Sequence, residues 1–128
     1  MTWRMRAGGG IDPPDNGSLR MASSTLPVFD ALPLQRLTGG NAAMQTERLA
    51  LFMTEAERLM TQIEAATDLE VRTERVRALS GLSRSVGAVR VAHEAKAVEA
   101  LVDEEAPDLS ALREALTATF LYLTRSTG

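Results

Sequence analysis

The chain of 128 residues contains no cysteine, and this absence excludes disulfide bridges and any chemistry that needs a thiolate. A reducing cytosol is therefore the compartment that the sequence favours. Aromatic residues make up only 4% of the chain, so a core has to be built mainly from Leu, Val, Ala and Met. The formal net charge is −3, which is too balanced to indicate a nucleic-acid-binding protein.

Long apolar runs are also missing. No stretch approaches the roughly 20 apolar residues that a membrane-spanning helix needs, and no apolar segment follows Arg4 and Arg6 to form a secretory signal. What the chain does have is 45% hydrophobic residues, with much Ala, Leu, Glu and Arg, which is typical of one small all-α domain. We expect a cytoplasmic protein without a cofactor, which binds neither membrane nor nucleic acid.

The first 24 residues differ from the rest in composition. Glycine, proline and polar residues are concentrated at 8–10 and 12–18, which leaves little to bury and predicts a disordered tail over 1–24. Trp3, the only tryptophan, lies in this tail and is expected to be solvated. Met21 is an alternative start of translation, in which case the residues before it are an extension of the gene model. The folded domain is expected over 25–126.

Beyond the tail, apolar residues recur at helical spacing. A short helix is expected after Asp30, which can cap it, and its end is expected at Gly39 and Gly40. The next helix has the clearest pattern, because its apolar residues follow one another at steps of three and four and form one stripe. Asp68 then interrupts the pattern and is placed to cap the following helix. The expected core positions of this first long helix are Leu49, Phe52, Ala56, Leu59, Ile63 and Ala66.

Three more helices complete the predicted fold. One is expected over 69–85 with Gly87 as its stop, one over 88–102, and one beginning near Pro107. Short connections between four long helices favour an antiparallel four-helix bundle, with the short helix as a cap. The expected core positions are Val76, Leu79, Leu82 and Val86 on the first of these three helices, Val91, Ala95, Val98 and Val102 on the second, and Leu109, Leu112, Leu116, Phe120 and Leu123 on the third.

Three short motifs occur along the chain. Residues 37–41 read Leu-Thr-Gly-Gly-Asn, residues 51–56 read Leu-Phe-Met-Thr-Glu-Ala, and residues 77–88 read Arg-Ala-Leu-Ser-Gly-Leu-Ser-Arg-Ser-Val-Gly-Ala. The third resembles the phosphoacceptor segment of the histidine-phosphotransfer (HPt) family: His, any residue, Leu, Lys, Gly, and a second Gly six residues later, usually followed by Ala. The first two resemble that family's Leu-x-Gly-Gly-Asp opening and its Leu-Phe-x-x-Glu motif. The resemblance covers about residues 26 to 124.

The resemblance implies a four-helix bundle that displays one residue for phosphotransfer. In the family this residue is a histidine, which accepts a phosphoryl group from a receiver-domain aspartate and passes it on. Neutral imidazole has the lone pair that this chemistry needs. Here Arg77 stands at the histidine position and Ser80 at the lysine position, while Leu79, Gly81 and the later Gly-Ala pair match. Because a guanidinium stays protonated, we expect no transfer at Arg77.

The resemblance therefore implies a non-catalytic signalling adaptor or antagonist in a two-component phosphorelay. Its expected partner is a response-regulator receiver domain, a sensor histidine kinase, or both, and the protein itself is expected to be a monomer or weak dimer. Arg77 would pair with the acidic pocket of a receiver, and Arg72, Arg75, Arg84 and Arg90 would add positive charge nearby. The expected partner-binding residues are Arg77, Ser80, Gly81, Arg84 and Gly87. The alternative for Arg77 is an ordinary solvated charge on an exposed helix.

His93 is the only histidine, so any true phosphotransfer must use it. Lys96 follows it by three residues as in the family motif, although Ala97 replaces the glycine. Its position away from the apolar stripe of its helix predicts a largely exposed side chain. An active phosphotransfer protein using His93 therefore stays an alternative, as does a purely structural or oligomerising bundle. A metal site is not expected, because a di-metal bundle needs Glu-x-x-His pairs and Arg90 stands three residues before His93.

Overall fold

The computed structural model of the protein describes residues 26–101 and 107–127. These ranges form five helices and no strand, namely α1 (Leu32–Thr38), α2 (Ala42–Ala65), α3 (Leu69–Val86), α4 (Val89–Glu99) and α5 (Ser110–Thr127). The all-α prediction is confirmed. The expectations for the N-terminal tail, including Trp3 and Met21, and for Val102 lie outside the described residues. None of the described helices is both long enough and apolar enough to cross a membrane.

Two of the long helices begin at side-chain caps. The Oδ1 atom of Asn41 accepts a hydrogen bond from the backbone N–H of Met44 at 2.9 Å, at the start of α2. Asp68 Oδ1 accepts from the backbone N–H groups of Glu70 and Val71 at 2.8 and 3.2 Å, at the start of α3. Each contact satisfies N–H groups that have no partner within the helix. The predicted cap at Asp68 is therefore confirmed.

The short helix α1 has a different start from the one expected. Asp30 Oδ1 accepts from the N–H of Leu32 at 3.0 Å, but Ala31 is the residue that precedes the helix. The aspartate therefore forms a turn just before α1 and does not cap it. At the other end, Gly39 adopts a left-handed conformation with φ of 61°, which ends the helix as predicted.

The helices pack in a closed order. The contacts join α2 to α3 and α5, α3 to α4, and α4 to α5, while α1 lies against α2 and α3. Arg113, near the start of α5, donates to Glu64 near the end of α2 at 2.8 Å. Farther along α5, the ring of Phe120 meets that of Phe52 edge-on, with centroids 6.3 Å apart. Helices α2 and α5 therefore run in opposite directions.

The core between the helices is almost entirely aliphatic, as the composition predicted. Burial of each large side chain contributes about 1.5–3 kcal/mol. Ala66, Leu82, Val98, Leu109 and Phe120 were expected in the core and are only partly buried. Met60, Ala88 and Ala115 are buried in addition to the expected set. The expected core residues that are buried are Leu49, Phe52, Ala56, Leu59, Ile63, Val76, Leu79, Val86, Val91, Ala95, Leu112, Leu116 and Leu123.

The segment before α1 crosses the turn that joins α3 to α4. The backbone N–H of Asp30 donates to the carbonyl oxygen of Gly87 at 2.8 Å. The guanidinium of Arg90 donates to the carbonyl oxygen of Leu26. These two contacts attach the start of the described chain to the end of α3 and the start of α4, so they close this end of the domain.

Candidate partner-binding surface of the third helix

Helix α3 has one buried side and one exposed side. Because an α-helix has 3.6 residues per turn, the spacing of residues along this 18-residue helix shows which of them share a face. The buried side holds Val76, Leu79 and Val86. We call the exposed side the α3 face, and its members are Glu70, Glu74, Arg77, Ala78, Gly81, Arg84 and Ser85. Acidic residues occupy its N-terminal part and arginines its C-terminal part, an arrangement that also suits the helix dipole.

Arg77 lies in the middle of the α3 face, with 67% of its side chain exposed. Its Nε–H donates to Oε2 of Glu99 on α4 at 2.6 Å, and Lys96 Nζ lies 3.7 Å from Oε1 of the same carboxylate. The hydrogen bond from Arg77 lowers the pKa of the Glu99 carboxyl, although burial opposes this effect. Glu99 is therefore charged at neutral pH. Arg77 faces outward, but its contact with Glu99 restrains it.

Gly81 follows Arg77 by one helical turn and is also exposed. Among the described residues, no atom outside its own helix backbone would lie within 4 Å of a Cβ atom built on Gly81. A glycine inside a helix is less stable than alanine by about 1 kcal/mol. The described contacts of this chain therefore give no reason for glycine here. Close approach of another molecule to the helix would be a reason for glycine at this position.

Two of the five predicted partner-binding residues lie beneath the surface. Ser80 is only 3% exposed, and its Oγ accepts a hydrogen bond from Nη1 of Arg84 at 3.0 Å. Gly87 is buried and has φ of 98°, and a Cβ atom built there would overlap the carbonyl oxygen of Asp30. The structure thus brings Arg77, Gly81 and Arg84 to one face and gives Ser80 and Gly87 internal roles.

The positive charge expected around Arg77 is reduced by packing. Arg72 is only 5% exposed, because its spacing from Val76 and Leu79 puts it on the buried side of α3. Arg90 is half-buried and directed to the N-terminal segment. Arg75 pairs with the neighbouring Glu74 at 2.8 Å. Two other cations remain near Arg77. Arg84 follows it by two helical turns on the α3 face, and Lys96 approaches the same Glu99 carboxylate.

His93 is half-buried, so the expectation of a largely exposed side chain is wrong. Helix α4 contacts both α3 and α5, so the direction of a side chain relative to Val91 and Ala95 does not by itself determine its exposure. Lys96, which follows His93 as a lysine follows the histidine in the family motif, lies against Glu99. The structure does not place these two residues together as an exposed nucleophile and its cation.

Sequence reasoning did not identify Glu99 as a partner of Arg77. Residue 99 stands 22 positions from Arg77, so only the packing of α3 on α4 shows the contact.

Among the described residues, no group of three or more potential metal ligands occurs. An open depression of about 810 Å³ borders the N-terminal half of α3 and reaches Arg77. Its lining includes Leu69 and Val71, both exposed apolar residues.

Comparisons with known proteins leave the family open. No family model, no curated protein and no solved structure matches the chain. The resemblance to histidine-phosphotransfer domains therefore depends on the residues of the motifs and on the surface described above.

Proposed function

We propose that this protein is a non-catalytic, HPt-like adaptor or antagonist that binds a receiver domain through the α3 face, in the cytoplasm. The observation that carries the proposal is the exposed pair of Arg77 and Gly81, one turn apart on the same helix. A sensor histidine kinase, which contains or contacts such receivers, is the second partner that the motif suggests.

The proposed architecture is an antiparallel four-helix bundle with α1 as its cap. Its support comes from the closed order of helix contacts and from the opposite directions of α2 and α5. Helices α3 and α4 are joined by residues 87–88 alone, yet Arg77 and Glu99 meet far from this turn. That contact is expected of antiparallel neighbours. A bundle of this kind gives the α3 face a rigid support.

The chemistry of the proposed contact is recognition of carboxylates. A guanidinium carries N–H donors in a planar fork that matches a carboxylate, and such charge-assisted contacts are stronger than neutral ones. The phosphorylation pocket of a receiver domain is acidic. Arg77 can enter that pocket while the missing side chain at Gly81 lets the partner surface approach the helix.

The same contact explains why the protein would inhibit or hold its partner without reacting. Arg77 has no lone pair with which to attack an aspartyl phosphate. A receiver bound in this way is withdrawn from phosphotransfer with other proteins for as long as the complex lasts. The relay is thus regulated by occupancy of the docking surface.

The decisive experiment is a binding measurement with unphosphorylated receiver domains and three forms of the full chain. We expect wild type to bind, and Arg77→Glu to bind at least about thirtyfold more weakly, because removal of a paired interface charge costs about 2 kcal/mol or more. Arg48→Glu is the control, since Arg48 is exposed on α2 and the substitution changes the charge equally. Equal binding by wild type and Arg77→Glu would contradict the proposal.

The two alternatives give different results. Incubation with a phosphorylated receiver would leave acid-labile phosphate on a working phosphotransfer protein, and His93→Gln would abolish it. A stable dimer that buries Arg77 would instead favour a structural role. We expect neither the acid-labile phosphate nor such a dimer.

A further inference from the structure

Glu99 belongs to α4, but its carboxylate reaches the α3 face. Its side chain is only 19% exposed, whereas that of Arg77 is 67% exposed. Lys96 approaches the second oxygen of the carboxylate, at 3.7 Å from Oε1. The acceptor of the contact is thus partly enclosed and flanked by a cation, while the donor extends into solvent.

The hydrogen bond to Glu99 uses only one part of the Arg77 guanidinium. The donor is Nε–H, at 2.6 Å from Oε2. Among the described residues, no hydrogen bond engages either Nη group of Arg77. A guanidinium is planar, so a fixed Nε–H also limits the directions that both Nη groups can take.

We infer that Glu99 is a positioning residue that holds Arg77 by Nε and presents its two Nη groups to a carboxylate of the partner. This inference rests on the proposed function for the identity of the partner. An unrestrained arginine loses much rotamer freedom when it binds. Because the contact with Glu99 already orders Arg77 in the free protein, less rotamer freedom is lost when the partner binds.

Lys96 makes this arrangement compatible with an anionic partner. Arg77 and Lys96 carry two positive charges against the one negative charge of Glu99, so the three side chains together stay positive. The partner carboxylate can then approach the Nη groups end-on without displacing Glu99. If the partner carboxylate had to displace Glu99, Glu99 would compete with the partner for Arg77, and removal of Glu99 would strengthen binding.

The test compares Glu99→Ala and Glu99→Gln with wild type in the full chain, using an unphosphorylated receiver domain. We expect Glu99→Ala to weaken binding by about three- to tenfold, and Glu99→Gln by less, because its amide oxygen still accepts from Nε–H. Glu114→Ala is the control, because Glu114 is exposed on α5 and its loss changes the net charge equally. It should stay within about twofold of wild type. Tighter binding by Glu99→Ala would overturn the inference and make Glu99 a competitor.

A second measurement separates this inference from the proposed function. NMR of the Nε–H group of Arg77 should show an ordered, slowly exchanging signal in wild type that is lost in Glu99→Ala and retained in Glu114→Ala. An unchanged signal in Glu99→Ala would show that Glu99 does not hold Arg77. If no receiver domain binds wild type, the proposed function fails, and this signal alone decides whether Glu99 orders the arginine.

Discussion

Gly81 and Gly87 stand in the same short motif, but the structure gives them different surroundings. Gly87 is buried in a left-handed turn with φ of 98°, and the carbonyl oxygen of Asp30 occupies the space that a side chain would need. Gly81 is exposed within a helix, and among the described residues no atom outside its own helix backbone comes within 4 Å of the Cβ position. One glycine is therefore required by folding, and the other is left for a partner to explain.

The same contrast extends to the residues around each glycine. Near Gly87, backbone hydrogen bonds and the contact of Arg90 with Leu26 close one end of the domain. Around Gly81, Arg77 and Arg84 are exposed, and the contact of Arg77 with Glu99 lies at the surface. A motif that joins the two glycines thus combines a structural requirement with the proposed binding surface. Substitutions should separate the two.

The largest effect is expected from Gly87→Ala. We expect the free energy of unfolding to fall by about 3 kcal/mol, because the methyl group overlaps the carbonyl of Asp30 and the positive φ strains any L-residue. Urea unfolding measures this change. Gly39→Ala is the matched control, since φ there is 61° but the side-chain space is empty, and it should cost only about 1 kcal/mol. Similar stability of Gly87→Ala and wild type would show that the turn adapts.

Arg113→Met should have the next largest effect, at a contact remote from both glycines. Arg113 joins α5 to Glu57 and Glu64 of α2 at 2.9 and 2.8 Å, and its loss should lower the unfolding free energy by about 1 kcal/mol, since solvent screens these partly exposed pairs. Urea unfolding checks this value. Glu47→Gln, which changes an exposed residue of α2 ten positions before Glu57, should leave stability within about 0.5 kcal/mol of wild type.

The same substitution should also change the pH dependence of stability. Hydrogen bonding to Arg113 lowers the pKa of Glu57 below its ordinary value of 4.5. A carboxyl whose pKa is lower in the folded state stabilises the fold above its unfolded pKa, and this contribution disappears as pH falls through the folded pKa. Wild type should therefore lose stability below about pH 4.5, and Arg113→Met should lose less. Parallel pH profiles of the two proteins would contradict this.

Gly81→Ala should reverse the sign of the stability change. We expect the unfolding free energy to rise by about 0.5–1 kcal/mol, because alanine is the better helix former and its methyl group meets no neighbour from another described segment. Receiver binding should weaken, because the methyl group would occupy the space that the partner approaches. Ala50→Gly, at an exposed position inside α2 and away from the α3 face, should lower stability and leave affinity unchanged. Gain of stability in Gly81→Ala without loss of binding would end the role proposed for this glycine.

The contrast between the glycines also shows what the sequence could predict. The helices and most core positions followed from local spacing, which a single chain segment determines. Apart from Ser80, the buried residues of α3 are Arg72, Val76, Leu79, Ser83 and Val86, which follow one another at steps of four and three. Two of these residues are polar and were therefore missed, although their spacing contained the signal.

The remaining errors concern contacts between distant segments. The overlap that makes Gly87 necessary comes from Asp30, and the partner of Arg77 is Glu99 on the next helix. Neither contact has a local pattern, because each depends on how two segments cross. The half-buried state of His93 likewise depends on the packing of α4 against its neighbours and not on α4 alone.

Arg77→Gln should have the smallest effect on stability of the substitutions considered. An exposed ion pair contributes only about 0–1 kcal/mol, so we expect unfolding to change by less than about 0.5 kcal/mol. The pKa of Glu99 should rise towards its ordinary value, because the hydrogen bond from Arg77 is the main cause of its depression, and an NMR titration of the Glu99 carboxyl would measure this. Receiver binding should nevertheless be lost, since the charged fork is gone. A side chain that contributes little to the fold and much to the proposed binding would separate the α3 face from the turn at Gly87. A large loss of stability in Arg77→Gln would remove that distinction.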